Sequence, residues 1–201
     1  MKRHVVSFLS CGLLAGCAAS PPPIDEPSAL PITPITTEQP SPAAFHFKSG
    51  TLEIGDFDPY TLGDDIFDPC TEISPEEFAA AGFDNVEPIP EEYAGLARGL
   101  SACDIMDEGD LSGAGFGNNN ANREVVEAQT PLLPQYSSEK LPAIFVYGPR
   151  GDFGTLCYAQ VDTSRGGIVS EVAGLDGFDS QDSTCTEAIR NLESIYSAHS
   201  S

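Results

Sequence analysis

The chain has 201 residues, with 31 acidic against 9 basic side chains and a formal charge of −22. Such a surface repels phosphate backbones and anionic lipid headgroups, which argues against nucleic acid as a partner. The length accommodates one domain of ordinary size once an N-terminal tail is set aside.

Lys2 and Arg3 precede the apolar run Val5–Leu14, which is too short for a stable transmembrane helix and reads as a secretory signal. After it, Leu14-Ala15-Gly16-Cys17 resembles the lipobox of bacterial lipoproteins, whose cysteine is diacylated and becomes the new N-terminus. Residues 1–16 are therefore expected to be a lipoprotein signal peptide and Cys17 the lipidation site; an ordinary signal peptide cut near Ala18-Ala19 is the alternative. Residues 17–45 then form a lipidated Pro-rich tether, since eight of the 17 prolines lie between Pro21 and Pro42. Such a segment favours an extended polyproline-like chain, and about 25 residues at about 3.1 Å each reach about 80 Å. The extracytoplasmic domain is expected over residues 46–201. Cysteine usage agrees with export. Cys11 leaves with the signal and Cys17 carries lipid, so Cys70, Cys103, Cys157 and Cys185 remain as structural disulfides with three possible connectivities. No Cys-x-x-Cys is present, which argues against zinc or a redox centre.

Phe45-His46-Phe47 and Thr51-Leu52-Glu53-Ile54 alternate like short strands. An acidic loop follows with Asp56, Asp58, Asp64, Asp65 and Asp68. Ser74-Pro75-Glu76-Glu77 is a capping box with proline at the first helical position, predicting a helix over Pro75–Ala81 that stops at Gly82. Glu87-Pro88-Ile89-Pro90 argues against regular structure. Leu100–Met106 reads as a strand with Glu124–Ala128 as its partner. Gly109–Asn122 between them, rich in Gly and Asn, reads as an exposed loop at the rim of a ligand or partner surface. Thr130–Leu141 is a proline-bounded connection. Ile144–Tyr147, Thr155–Asp162 and Ile168–Val172 read as strands, the last two joined by a hairpin at Ser164-Arg165-Gly166-Gly167. Thr184-Cys185-Thr186-Glu187 predicts a helix start, and Ile189, Leu192, Ile195 and Tyr196 form its apolar stripe as far as Ala198. The expected fold is α+β, a mainly antiparallel sheet with helices packed on one face and two disulfides.

Phe67-Asp68-Pro69-Cys70 leads into Ser74-Pro75-Glu76-Glu77, Leu100-Ser101-Ala102-Cys103 follows, Cys157 sits in a strand, and Cys185 lies at a final amphipathic helix. Together with the lipobox, this Asp-Pro-Cys box and cysteine order resemble a family of actinobacterial cell-envelope lipoproteins with a domain of unknown function, over roughly Asp56–Ala198. The resemblance implies an envelope location and disulfides, and no reaction. One departure is Asp104-Ile105-Met106 where such domains often carry an aromatic residue. The expected pairing is Cys70–Cys103 and Cys157–Cys185, each joining a helix-proximal cysteine to one on a strand and closing a loop of about thirty residues.

No catalytic residue is assigned. Outside the signal peptide the histidines are His46 and His199, and no Gly-x-Ser-x-Gly elbow is present. No cofactor is expected, and solvated acidic loops are the favoured reading. Calcium is the alternative, with Asp56, Asp58, Asp64, Asp65 and Asp68 in one loop and Asp104, Asp107, Glu108 and Asp110 in another as cation-binding candidates, although neither loop matches an EF-hand. The function expected is a lipoprotein anchored on the extracytoplasmic side of the cell membrane through Cys17, binding an envelope protein or small ligand without catalysis. The alternatives are an envelope enzyme using paired acidic residues and a calcium-stabilised interaction domain.

Overall fold

The computed structural model describes residues 43–90, 100–106, 113–149, 155–175 and 177–200. The signal peptide, Cys17 and the tether as far as residue 42 lie outside the described residues, as do Asp107, Glu108 and Asp110. The first element is a hairpin of β1 (Ala44–Phe47) and β2 (Gly50–Glu53), in which Phe45 faces Leu52. The alternating apolar side chains that predict it, Phe45, Phe47 and Leu52, are all buried. This pair is a sheet of its own, linked by a bridge between Ile54 and Thr163 to the larger one.

Two short helices follow, α1 (Pro69–Glu72) and α2 (Pro75–Ala80). Asp68 caps α1, its Oδ1 accepting from the Cys70 N–H at 2.9 Å. The capping box of α2 forms as its sequence predicts, Glu77 accepting from the Ser74 N–H at 3.0 Å. Gly82, at φ +94°, ends it, with Phe83 N–H returning to Phe78 O at 2.9 Å.

The larger sheet contains β3 (Val86–Pro88), β4 (Ala102–Ile105), β5 (Gly113–Asn119), β6 (Phe145–Tyr147), β7 (Thr155–Thr163) and β8 (Gly166–Gly174). All pairings are antiparallel and the order is β3-β4-β5-β8-β7-β6. Three sequence expectations are corrected here. Gly113–Asn119 is no loop but a central strand paired on both sides. Glu124–Ala128 is no strand but lies in α3 (Arg123–Gln129), whose N-cap Asn122 accepts from Val125 N–H at 3.1 Å. Val86–Pro88 is a strand despite its proline, because it is the sheet's edge and Pro88 needs no outward partner.

The last helix, α4 (Gln181–His199), starts a turn before the expected Thr184, capped instead by Ser180, which accepts from Ser183 N–H at 3.1 Å. Thr184 instead turns its hydroxyl back to the Ser180 carbonyl, at 3.3 Å. Ile189, Leu192 and Ile195 of α4 are buried against β7 and β8, and each such side chain contributes about 1.5–3 kcal/mol. The disulfides are Cys70–Cys103, joining α1 to β4, and Cys157–Cys185, joining α4 to β7. The loops they close stabilise by about 3–4 kcal/mol each in the chain-entropy picture.

The two faces of the sheet follow from the period-2 alternation. Cys157 bonds to Cys185 of α4, and Ser170 accepts from Asn191 of α4 at 3.2 Å, so both point to the helical face. Cys103 and Phe116 stand in register with Ser170 on that face. Their neighbours in sequence therefore point to the opposite face. At its β6 margin, Val126 of α3 packs with Phe145 and Tyr147.

Candidate functional site

Because the register runs unbroken across the sheet, one residue from each strand falls into a row on the face away from α4. The row is Glu87, Asp104, Gly115, Glu171, Tyr158 and Tyr147. A second row, Ala102, Gly117, Val169, Gln160 and Phe145, lies beside it. Between the strands runs a groove of about 600 Å³, floored by Gly113, Gly115 and Gly117 of β5 and walled by Ala102, Asp104, Val169, Glu171, Tyr147 and Tyr158.

The glycines make the groove. Strands place every second side chain on each face, and here Gly113, Gly115 and Gly117 present none to this face, while Ala114, Phe116 and Asn118 face the other way. A Cβ on Gly115 would lie 2.6 Å from the Cys103 carbonyl oxygen, and one on Gly117 would lie 2.9 Å from that of Ser101. The close approach of β4 thus excludes any larger residue at both positions.

One end of the groove is aromatic and rigid. Tyr147 and Tyr158 stack with ring centroids 5.1 Å apart, and Phe145 continues the stack 5.9 Å from Tyr147. The Tyr147 hydroxyl donates to Gln160 Oε1 at 3.0 Å, an oxygen that also accepts from Asn119 Nδ2 at 2.9 Å. Gln160 Nε2 donates in turn to Ala121 O at 2.9 Å and to Asp162 Oδ1 at 2.7 Å. Asp162 also takes the Arg123 N–H at 2.8 Å, so the network ties the stack to the start of α3. Burial pushes the Tyr147 phenol well above its ordinary range and that of Tyr158 up to about 12, with Glu171 adding to both, so both rings stay neutral.

The other end carries charge. Asp104 and Glu171 flank Gly115 in the row, two strands apart, which is roughly 10 Å between α-carbons. The protein around Glu171 raises its carboxyl above the ordinary value, and the charge of Asp104 raises it further, although the side chain still reaches solvent. No lining residue of the groove among those described is basic.

Of the sequence-predicted acids, Asp104 lines the groove, and those of the 56–68 loop are placed elsewhere. Asp58 closes a turn, accepting from Tyr60 N–H at 2.9 Å. Asp65 pairs with Arg165 at 2.9 Å, and Asp68 caps α1 while accepting the Ser101 hydroxyl. Asp56 lies by Arg165 at the β7–β8 hairpin. Among the described residues no group of three or more His, Cys, Asp or Glu is arranged to hold a metal ion. Within the segment expected at the rim of a ligand surface, residues 113–119 form the floor instead. Glu171, Tyr158 and Tyr147 carry no motif, and only the alternation of glycine along residues 113–117 marks this face in the sequence.

The chain belongs to the family described as Protein of unknown function (DUF3558), whose model matches residues 12–197. No curated protein and no solved structure matches it.

Proposed function

We propose that the protein is a lipid-anchored binding module on the extracytoplasmic side of the cell envelope, which takes a small ligand into the glycine-floored groove without transforming it. The observation that carries the reading is the groove itself: about 600 Å³, with an apolar floor, a hydrogen-bonded aromatic wall and a few polar groups converging on it. Small-molecule sites have this size and make-up. The anchor is supported by the lipobox ending at Cys17 and the proline-rich stretch after it. The family match starts at residue 12 and so takes in both. The paired carboxylates Asp104 and Glu171 favour a second reading, an acid–base enzyme working in the same groove.

A fragment screen tests the proposal. The full chain in detergent is exposed to mixtures of neutral, anionic and cationic small molecules while its amide proton–nitrogen correlation spectrum is followed. Saturable shifts at Gly115, Gly117 and Val169, with the fragment recovered unchanged, are expected. No fragment acting on these amides would overturn the groove as a ligand site, and conversion of a bound fragment would favour the enzyme.

A further inference from the structure

The groove differs from a generic apolar cleft in its charge. Its described lining carries two carboxylates and no base. Among the described cations, Lys48 pairs with Glu76, Lys140 with Glu193 and Arg165 with Glu72 and Asp65, while Arg123 lies over the Phe145 ring. Asp104 and Glu171 face one another across Gly115, where no side chain separates them. Next in the row stand the stacked rings of Tyr158 and Tyr147. Carboxylates attract a cation through charge-assisted hydrogen bonds, and an aromatic face attracts it through the ring quadrupole. A hard metal ion seeks six or more oxygens in its own shell and has no use for an aromatic wall. An ammonium or guanidinium group on an apolar stem uses both features.

We propose that the groove binds a small organic cation, its ammonium or guanidinium group seated over Gly115 between Asp104 and Glu171 and its stem lying against Tyr158 and Tyr147. The inference rests on the groove being a ligand site and names the class of ligand. The glycines serve it directly, because a side chain at Gly115 would fill the lane between the two carboxylates. The Tyr147–Gln160–Asn119 hydrogen bonds hold the aromatic wall in place before any ligand arrives.

Agmatine, a guanidinium and an ammonium joined by a butyl stem, is the probe, butylurea an uncharged comparison lacking both groups, and the amides of Gly115, Gly117 and Glu171 in the full chain are the readout. Agmatine is expected to shift these amides saturably and butylurea at least about tenfold more weakly, the scale of one charge-assisted hydrogen bond. Glu171→Gln and Asp104→Asn, both at exposed side chains, should each weaken agmatine about tenfold, and Ala102→Lys should remove the response. Equal binding of butylurea overturns the inference. So do shifts that grow without saturation and spread over the acidic loop at residues 56–68, the mark of mere counterion attraction. If agmatine fails while a neutral or anionic fragment shifts the same amides, the cation is wrong and the groove stands. If no fragment acts there, both fall.

Discussion

Glu77 and Glu171 show how one residue type acquires opposite energetics from its surroundings. Burial alone would raise the Glu77 carboxyl, but hydrogen bonds from the backbone N–H groups of Ser74 and Lys48, with His199 nearby, hold it below its ordinary value of 4.5. It thereby ties the β1–β2 turn to α2. A carboxyl lowered in the folded state stabilises fully above its unfolded value, and that contribution is lost as pH falls through the folded one. Glu77→Gln should therefore cost about 2 kcal/mol at neutral pH, since one buried donor loses its charged acceptor. The gap to the native protein should close as the pH drops below 4.5. Glu171 has the reverse sign: surrounding protein and Asp104 raise its carboxyl, so its charge opposes folding at neutral pH. Glu171→Gln should raise the melting temperature at neutral pH, with no gain left once the pH lies below the unfolded value. Melting curves of both variants across acidic to neutral pH check the pair, and parallel profiles would contradict it.

At the scale of elements, Asn122 does more than end a turn. Its Oδ1 caps α3 by accepting from Val125 N–H at 3.1 Å, and its Nδ2 donates to Phe57 O at 3.0 Å, holding the acidic loop against the helix. Asn122→Ala removes both bonds, and a lost cap alone costs about 1 kcal/mol. A fall of about 1–2 kcal/mol in urea unfolding is expected, with faster amide exchange at Val125 and Val126; unchanged exchange there would show that the cap does not hold α3. This helix and its neighbour β5 are also where the sequence was hardest to read. Val125 and Val126 are β-branched and suggested a strand, but Val126 packs on Phe145 and Tyr147 from a helix, so tertiary contact overrode propensity. In β5, glycine at every second position removes the apolar alternation that marks a strand, even though Ala114 and Phe116 keep it on the covered face. By contrast β7, β8, the α2 capping box and the α4 stripe were legible, because each carries its own local signal. The groove was not. It exists only through strand register, which brings Asp104, Gly115, Glu171 and Tyr158 together from four separate strands. The expected disulfide pairing is the one the structure has, but a helix-to-strand staple alone also admits Cys70–Cys157 with Cys103–Cys185, and only the fold brings each pair together.

For the whole molecule, the charge and the proposed anchor act against each other. At −22 the chain is repelled by an anionic bilayer, so electrostatics alone would keep it in free solution. No helix among the described residues is long and apolar enough to cross a membrane. Under the proposed function, membrane residence then falls to acyl chains on Cys17. Each buried CH₂ contributes about 0.8 kcal/mol, a single chain binds marginally, and two chains hold durably. Proline-rich sequence favours an extended chain, which under the same proposal would let lipid stay in the bilayer while the acidic domain stands off from it. Growth with an alkyne fatty acid, followed by dye coupling to the purified chain, measures the anchor. The native protein should take up label and partition with membranes. Cys17→Ser should take up none, and its folded domain should be recovered without detergent, because the substitution lies outside every described contact. Native protein that carries no label would remove the lipid anchor from the proposal while leaving the groove, and its test with agmatine, untouched.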